Sequence, residues 1–168
     1  MNDSRIKFIR NCHWEEVFLL WYKNEDENPD WIKLAQDKGY ASWADWRLNE
    51  HVKRFDCVNK QWALYETSNP SQVVVKWSGG PFSTWVERYY DGQQSRKFSE
   101  LAQREDIQSI NKIKRLIGDY PKDSVITAIE KEGGEMIVIE GMHRCCALAL
   151  MAQRDLPFSD KLIFAIGK

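Results

Sequence analysis

The chain has 168 residues and a mass of 19.8 kDa, with 43% hydrophobic and 29% charged residues, which is enough to build a hydrophobic core. The net charge is −1 and both signs are interspersed along the chain, so there is no electrostatic case for non-specific binding of nucleic acid. No stretch approaches the roughly 20 apolar residues that span a bilayer, and the N-terminus lacks the apolar run of a signal peptide. We therefore expect a cytoplasmic protein that does not enter membranes.

Residues 1–60 predict a helical N-terminal extension with three short helices and no strand. In the first helix, Trp14, Val17 and Trp21 recur at the spacing of one helical face. A second helix is indicated between a capping Asn28 and Gly39, with Pro29 in its first turn. A third begins at Ser42, followed three residues later by Asp45 in the spacing of a capping box.

Residues 61–168 alternate strands with helices and predict a mixed α/β domain, so the fold class expected for the chain is α+β. The predicted elements are a strand at "WALYET", the apolar run "VVVKW", a helix from about Ser83 to Tyr90, a capped segment at "RKFSELAQRED", a helix ending near Gly118, strands at "SVITAIE" and "EMIVIE" joined by a hairpin at Gly133-Gly134, a helix after Gly141 and a strand at "KLIFAI".

Two aromatic or glycine-rich features allow both a structural and a ligand-binding interpretation. The tryptophans of the N-terminal part could stack on a base, but their helical spacing favours core packing. The loop "GGPFSTW" could form a second anion-contacting turn, but Ser83 and Thr84 favour a simple helix cap. The tryptophans concerned are Trp14, Trp21, Trp31, Trp43, Trp46 and Trp62.

The cysteines predict reduced thiols rather than a disulfide framework, because two of the four are adjacent. Those two, Cys145 and Cys146, lie in the first turn of a predicted helix, where a lowered thiol pKa is one interpretation and burial against the sheet is the favoured one. No metal site is predicted, because the remaining zinc-type residues follow no ligand spacing that we recognise; they are Cys12, His13, His51 and Cys57.

The segment "VIEGMHRCCALAL", residues 138–150, passes from a strand through one glycine into a helix and predicts an anion site. A helix N-terminus presents unpaired N–H groups and a partial positive charge. Gly141 allows close approach of a ligand, Arg144 offers a planar fork for phosphate oxygens, and His143 adds a donor. Cations in a first turn oppose the helix dipole, and this unfavourable placement favours a ligand.

The same segment, with the helix, proline, strand and hairpin before it, resembles the ParB/sulfiredoxin-like superfamily, whose members carry Gly-x-His-Arg or Gly-x-Arg-Arg between a strand and an Ala-rich helix. The resemblance covers about residues 107–166, with a weaker match at "WALYETSNPSQVVVKW". Relatives include sulfiredoxins, which use ATP, nucleotide-binding domains of chromosome-partition proteins, which use CTP, and free-serine kinases. It implies a ParB/sulfiredoxin-like domain that binds ATP, ADP or CTP, with or without Mg²⁺, at Gly141, Met142, His143 and Arg144.

The sequence also departs from these relatives. Met142 stands where sulfiredoxins need a reactive cysteine, so reduction of sulfinic acids is not expected. The sequence ends at Lys168, where partition proteins continue into a DNA-binding region, and a carboxylate cluster for nuclease chemistry is lacking. Lys112 and Arg115 lie on the helix where sulfiredoxin-like proteins place further phosphate contacts, and the alternative for them and Lys114 is a solvated face.

The sequence thus predicts a protein that binds a nucleotide or another phosphorylated small molecule. If it is an enzyme, it is expected to be a phosphotransferase or phosphohydrolase, with Glu140 as base or metal ligand and His143 orienting the phosphoryl group or exchanging a proton. The alternatives are that Glu140 is a surface acid paired with Arg144, and that the protein is a non-catalytic, nucleotide-responsive module with a protein partner or a second copy of itself.

Overall fold

The structure is a computed structural model that describes residues 3–25, 28–158 and 160–168. The strands are β1 (Lys7–Cys12), β2 (Trp62–Thr67), β3 (Ser78–Gly79), β4 (Arg96–Lys97), β5 (Val125–Glu130), β6 (Met136–Glu140) and β7 (Leu162–Gly167). The helices are α1 (Trp14–Glu25), α2 (Pro29–Asp37), α3 (Trp43–Arg47), α4 (Pro70–Val74), α5 (Ser83–Tyr89), α6 (Phe98–Leu101), α7 (Glu105–Ser109), α8 (Asn111–Gly118) and α9 (Met142–Gln153), with a π-helical turn at Leu48–Val52 and a 3-10 turn at Cys57–Asn59.

All seven strands form one mixed sheet in the order β1-β2-β7-β5-β6-β3-β4, which confirms the predicted α+β class. β5 is parallel to β7 and antiparallel to β6, and β3 is parallel to β6. As a result, the C-terminal ends of β3 and β6 lie at the same end of the sheet as the N-terminal ends of β5 and β7. The segment before β5, the turn after β3 and the turn at Gly141 therefore meet at one end of the sheet.

The expectation of no strand before residue 60 was wrong. β1 pairs antiparallel with β2, from Lys7 opposite Glu66 to Cys12 opposite Trp62. It is an edge strand whose residues are almost all exposed, so it lacks the alternation of polar and apolar residues by which a half-buried strand is recognised. Backbone pairing with β2, rather than burial of side chains, accounts for its conformation.

Helices cover both faces of the sheet and create two hydrophobic cores. The first core lies beneath α4–α9 and includes Leu148 and Val138. The second lies beneath the N-terminal helices and includes Trp21 and Ile139. Adjacent residues of β6 thus point into different cores, as expected for a strand buried on both faces. The predicted boundary at residue 60 stays a prediction, although residues from both sides of it form the second core.

The tryptophans are core residues, as their helical spacing predicted. Seven of the eight are buried, and Trp31 is partly exposed at the edge of the second core. The Trp21 indole donates a hydrogen bond to the Thr127 hydroxyl on β5 at 2.7 Å, which ties α1 to the sheet. The predicted caps are also present, because the side chains of Asn28 and Ser42 accept hydrogen bonds from the second and third residues of their helices.

The loop "GGPFSTW" owes its glycines to close packing. A Cβ on Gly79 would lie 2.1 Å from the Tyr90 hydroxyl and 2.4 Å from the Cε of Met142. The Gly80 amide donates to the carbonyl of Val138 at 2.9 Å, so it is already engaged with β6. The predicted cap by Ser83 or Thr84 was wrong, because Phe82 precedes α5 and supplies no side-chain hydrogen bond.

Leu148 and Leu19 give a matched test of the core beneath α9. Leu148 is fully buried, whereas Leu19 on α1 is 58% exposed. Leu148→Ala should lower the free energy of unfolding by about 2–5 kcal/mol through lost burial and a residual cavity. Leu19→Ala should change it by less than about 0.5 kcal/mol. Urea unfolding followed by tryptophan fluorescence measures both, and similar small effects would contradict the assigned position of α9.

Candidate functional site

Gly141 forms the turn between β6 and α9 and adopts a left-handed conformation with φ of 98°. A Cβ at this position would lie 3.2 Å from both Arg144 Nη2 and Ile126 Cγ1. Glycine is therefore favoured twice, by backbone conformation and by the guanidinium that folds back over it. The predicted strand-glycine-helix junction is present, and it places Arg144 directly above the turn.

Glu140 and Arg144 form a buried ion pair across this turn. Nη2 of Arg144 donates to both carboxylate oxygens of Glu140 at 2.5 Å, and the Glu140 side chain is only 9% exposed. Glu140 is thus paired as the alternative interpretation held, but it is a buried acid and not a surface one. Burial raises the pKa of Glu140, and the positive charge of Arg144 opposes this rise.

The pair leaves much of Arg144 without an acceptor. Its residue is only 9% exposed, yet within the described ranges Nε and Nη1 donate no hydrogen bond. The first-turn amides of α9 at Met142, His143 and Arg144 likewise have no acceptor among the described residues. The guanidinium and the helix N-terminus therefore lie at the same turn, and both groups favour oxyanions. Each two-nitrogen edge of the guanidinium includes Nη2, so an anion that binds such an edge competes with Glu140 for that nitrogen.

Tyr120, on the segment between α8 and β5, adds a third donor that the sequence did not predict. It is 8% exposed, and among the described residues its hydroxyl makes no hydrogen bond of good geometry, although the Ser124 hydroxyl is close enough to interact with it. The neighbouring Ser124 hydroxyl donates instead to the carbonyl of Pro121 at 2.8 Å. Tyr120 interacts electrostatically with both Arg144 and Glu140, and burial raises its pKa, so it stays a neutral donor. A buried hydroxyl without a partner costs about 1–3 kcal/mol, which a ligand could recover.

His143 lies beside Trp85 of α5. Its ring packs edge-on against Trp85, with the ring centroids 5.2 Å apart. Burial, followed by the positive charge of Lys112, lowers the pKa of His143 to about 4. His143 is therefore neutral near pH 7, with one ring nitrogen able to donate and the other able to accept a hydrogen bond, so Arg144 is the cation of the turn.

The predicted phosphate contacts on α8 line one cleft, and Lys112 also lies near the turn. Lys112 is close enough to His143 to affect its charge, so it lies near the turn. Lys114 and Arg115 line, together with Lys112, a shallow cleft of about 490 Å³ along α8. None of the three forms an ion pair within the described ranges. Arg115 stays a predicted phosphate contact, and the structure shows no interaction between it and the Gly141 turn.

A second buried ion pair, which sequence reasoning missed, approaches the turn from the N-terminal helices. Arg47 donates to Glu25 Oε2 through Nε at 3.0 Å and Nη2 at 2.5 Å, and its guanidinium lies 4.2 Å from the centre of the Trp46 ring. The charges of both Glu25 and Arg47 act on Glu140. No spacing in the sequence links these residues, because they come from different helices and meet Glu140 only through the fold.

The remaining nucleophile and metal candidates are accounted for by packing. Cys145 and Cys146 are fully buried, and burial raises the pKa of both thiols, so the favoured interpretation of burial is confirmed.

Among the described residues no group of three or more His, Cys, Asp or Glu side chains is arranged to hold a metal ion. Nor does any helix in those ranges combine the length and apolar character needed to cross a membrane.

Comparison with known proteins identifies no family. No family model matches the chain, and no solved structure matches it. A segment of 81 residues is 25% identical to the voltage-dependent calcium channel unc-36 of Caenorhabditis elegans, covering 44% of this chain. The match spans 6% of that channel protein, so it concerns a short part of a much longer chain. The resemblance to the ParB/sulfiredoxin-like superfamily consequently stays a prediction.

The left-handed turn is tested by comparing two glycines. Gly141→Ala should cost about 1–3 kcal/mol, because alanine is strained at this φ and its Cβ crowds Arg144 and Ile126. Gly118→Ala, at the end of α8, meets no atom within 4 Å and should be neutral or stabilise by up to about 1 kcal/mol. Thermal unfolding should show the difference as a drop of several degrees in Tm for Gly141→Ala alone. An unchanged Tm for that variant would contradict the described turn.

Proposed function

We propose that this protein is a ParB/sulfiredoxin-like nucleotide- or phosphate-binding protein, whose ligand places a phosphoryl group at the turn between β6 and α9. The observation that carries the proposal is the set of donors at this turn: the guanidinium of Arg144, the amides of the first turn of α9 and the hydroxyl of Tyr120, which is close enough to interact with Arg144. Such a set favours a tetrahedral oxyanion, because several donors can each meet a different oxygen.

The aromatic and basic neighbours of the turn support a phosphorylated ligand larger than phosphate itself. His143 is partly exposed and packs edge-on against the buried Trp85, and Lys112 places a positive charge near it. A ring surface next to a phosphate site suits a nucleoside, since bases stack on aromatic side chains. ATP, ADP and CTP are therefore the first ligands to test.

Phosphoryl transfer or phosphohydrolysis is the reaction proposed if the protein is an enzyme. Arg144 and the N-terminus of α9 would stabilise charge on the phosphoryl oxygens. Glu140 could act as a base only after Arg144 releases it, because both of its oxygens accept from Nη2. His143, held neutral, would donate or accept one hydrogen bond at the edge of the phosphoryl group.

Mg²⁺ does not fit the turn as a protein-held ion. Protein-bound Mg²⁺ takes one or two carboxylates together with phosphate oxygens, and the carboxylate of Glu140 is occupied by Arg144. The Mg²⁺ proposed here would enter only as a companion of the nucleotide phosphates.

The competing proposal is a non-catalytic regulatory module, in which bound nucleotide changes a surface that a partner protein or a second copy recognises. It is favoured by the same pairing of Glu140, which leaves the turn able to bind an anion but without a free base. Release of the γ-phosphate separates the two proposals. An enzyme will release phosphate from ATP or CTP faster than an Arg144→Lys variant does, whereas a module will bind the nucleotide and leave it intact.

Tyr120→Phe and a thermal-shift panel test the binding proposal. The panel contains ATP, ADP, CTP, GTP and inorganic phosphate, each with and without Mg²⁺. A ligand at 100 times its Kd should stabilise the wild type by about 2.7 kcal/mol. Tyr120→Phe should leave the free protein equally stable or more stable, because it removes a buried hydroxyl that makes no hydrogen bond of good geometry, and should weaken binding about tenfold or more.

Tyr65→Phe is the matched control, because Tyr65 lies on β2, separated from β6 in the sheet by β7 and β5. This variant should bind the ligand as the wild type does. If no member of the panel stabilises the wild type, the binding proposal is wrong. If Tyr120→Phe and Tyr65→Phe bind equally well, the ligand lies elsewhere on the protein.

A further inference from the structure

Two buried ion pairs lie close enough to interact through their charges near the Gly141 turn. Arg144 holds Glu140 on one side, and Arg47 holds Glu25 on the other. Glu25 and Arg47 belong to the N-terminal helices, whereas Glu140 and Arg144 belong to the β6-α9 junction. The two pairs interact electrostatically, because the charge of Glu25 raises the pKa of Glu140 and the charge of Arg47 lowers it.

We propose that an anion entering the Gly141 turn takes Nη2 of Arg144 away from Glu140, and that the buried Glu140 takes up one proton from solvent as the anion binds. This inference rests on the anion site proposed above and concerns how that site is regulated. The carboxylate becomes a carboxylic acid, the solvent loses one proton, and no other bond is made or broken.

The surroundings of Glu140 explain why the proton follows the anion. A buried carboxylate is tolerated when a cation pairs with it and is costly once that cation is lost. The charged and titratable groups that face Glu140 are Arg144 and Cys145 on α9, Glu25 on α1, Arg47 on α3 and Tyr120 before β5. Of these groups, Arg47 is the other cation, and it is held by two hydrogen bonds to Glu25.

Arg47 is poorly placed to replace Arg144 as a partner of Glu140. It is 8% exposed, and its guanidinium lies within 6 Å of the ring centres of three tryptophans, Trp31, Trp43 and Trp46. Trp43 also donates to the same oxygen of Glu25 at 3.1 Å, which fixes the acid that holds Arg47. Since Arg47 is held in this way, neutralisation of Glu140 by a proton is the remaining way to avoid an unpaired buried charge.

Sulfate is the probe for this inference, because unlike phosphate it does not change its own charge between pH 5 and 8. The site should bind sulfate more tightly as the pH falls. By linkage, the Kd should rise by up to about tenfold for each pH unit between the pKa of Glu140 in the free protein and that in the complex. Calorimetric titration in buffers of different ionisation enthalpy should give an uptake approaching one proton per sulfate in this window.

Two variants, Glu140→Gln and Glu25→Gln, identify the group that takes up the proton when sulfate binds. Glu140→Gln should bind sulfate with no proton uptake and no pH dependence, because the amide cannot titrate. Glu25→Gln should retain the uptake but move it to lower pH, because a negative charge beside Glu140 has been removed. Glu132→Gln, at an exposed position of the β5-β6 hairpin, is the matched control and should behave as the wild type.

The outcomes separate this inference from the function on which it rests. If sulfate binds to the wild type without proton uptake, the inference is wrong and the proposed anion site is supported. Proton uptake that persists in Glu140→Gln assigns the proton to another group, such as His143, and also overturns the inference. If Glu140→Gln does not fold, a Glu25→Gln variant with an unshifted pH profile overturns it. A wild type that binds neither anion contradicts the site and the inference together.

Discussion

The buried ion pair between Glu140 and Arg144 is the constraint on which the end of the sheet depends. It bridges a single left-handed glycine, and both partners are largely removed from solvent. Replacing one partner of such a pair alone leaves an uncompensated charge and typically costs about 3–5 kcal/mol. The pair therefore fixes the direction in which α9 leaves β6, and with it the direction of the unused donors of the turn.

The N-terminal helices complete this arrangement rather than standing apart from it. They cover the second face of the sheet with a tryptophan-rich core, and they bring Glu25 and Arg47 close enough for their charges to act on Glu140. The side chains that face Glu140 consequently come from both sides of residue 60. A ligand that moves Arg144 would therefore affect residues on both faces of the sheet, because the charges of Glu25, Arg47 and Glu140 interact.

Local patterns predicted most of the C-terminal elements. The hairpin at Gly133-Gly134 and the junction at Gly141 depend on neighbouring residues, and both are present. β1 was missed because an exposed edge strand shows no alternation of polar and apolar residues. The roles of Glu25 and Tyr120 were not predicted either, since they depend on contacts between residues far apart in the sequence, which no local spacing reveals.

The central claim is that the turn at Gly141 binds an anion through Arg144 and the first turn of α9. The most direct measurement is a titration of ¹⁵N-labelled protein with inorganic phosphate, followed by NMR at the amides of residues 141–144 and at Nε of Arg144. The account predicts saturable shifts that are largest at these groups. Shifts confined to Lys112, Lys114 and Arg115, or no shift at residues 141–144, would contradict it.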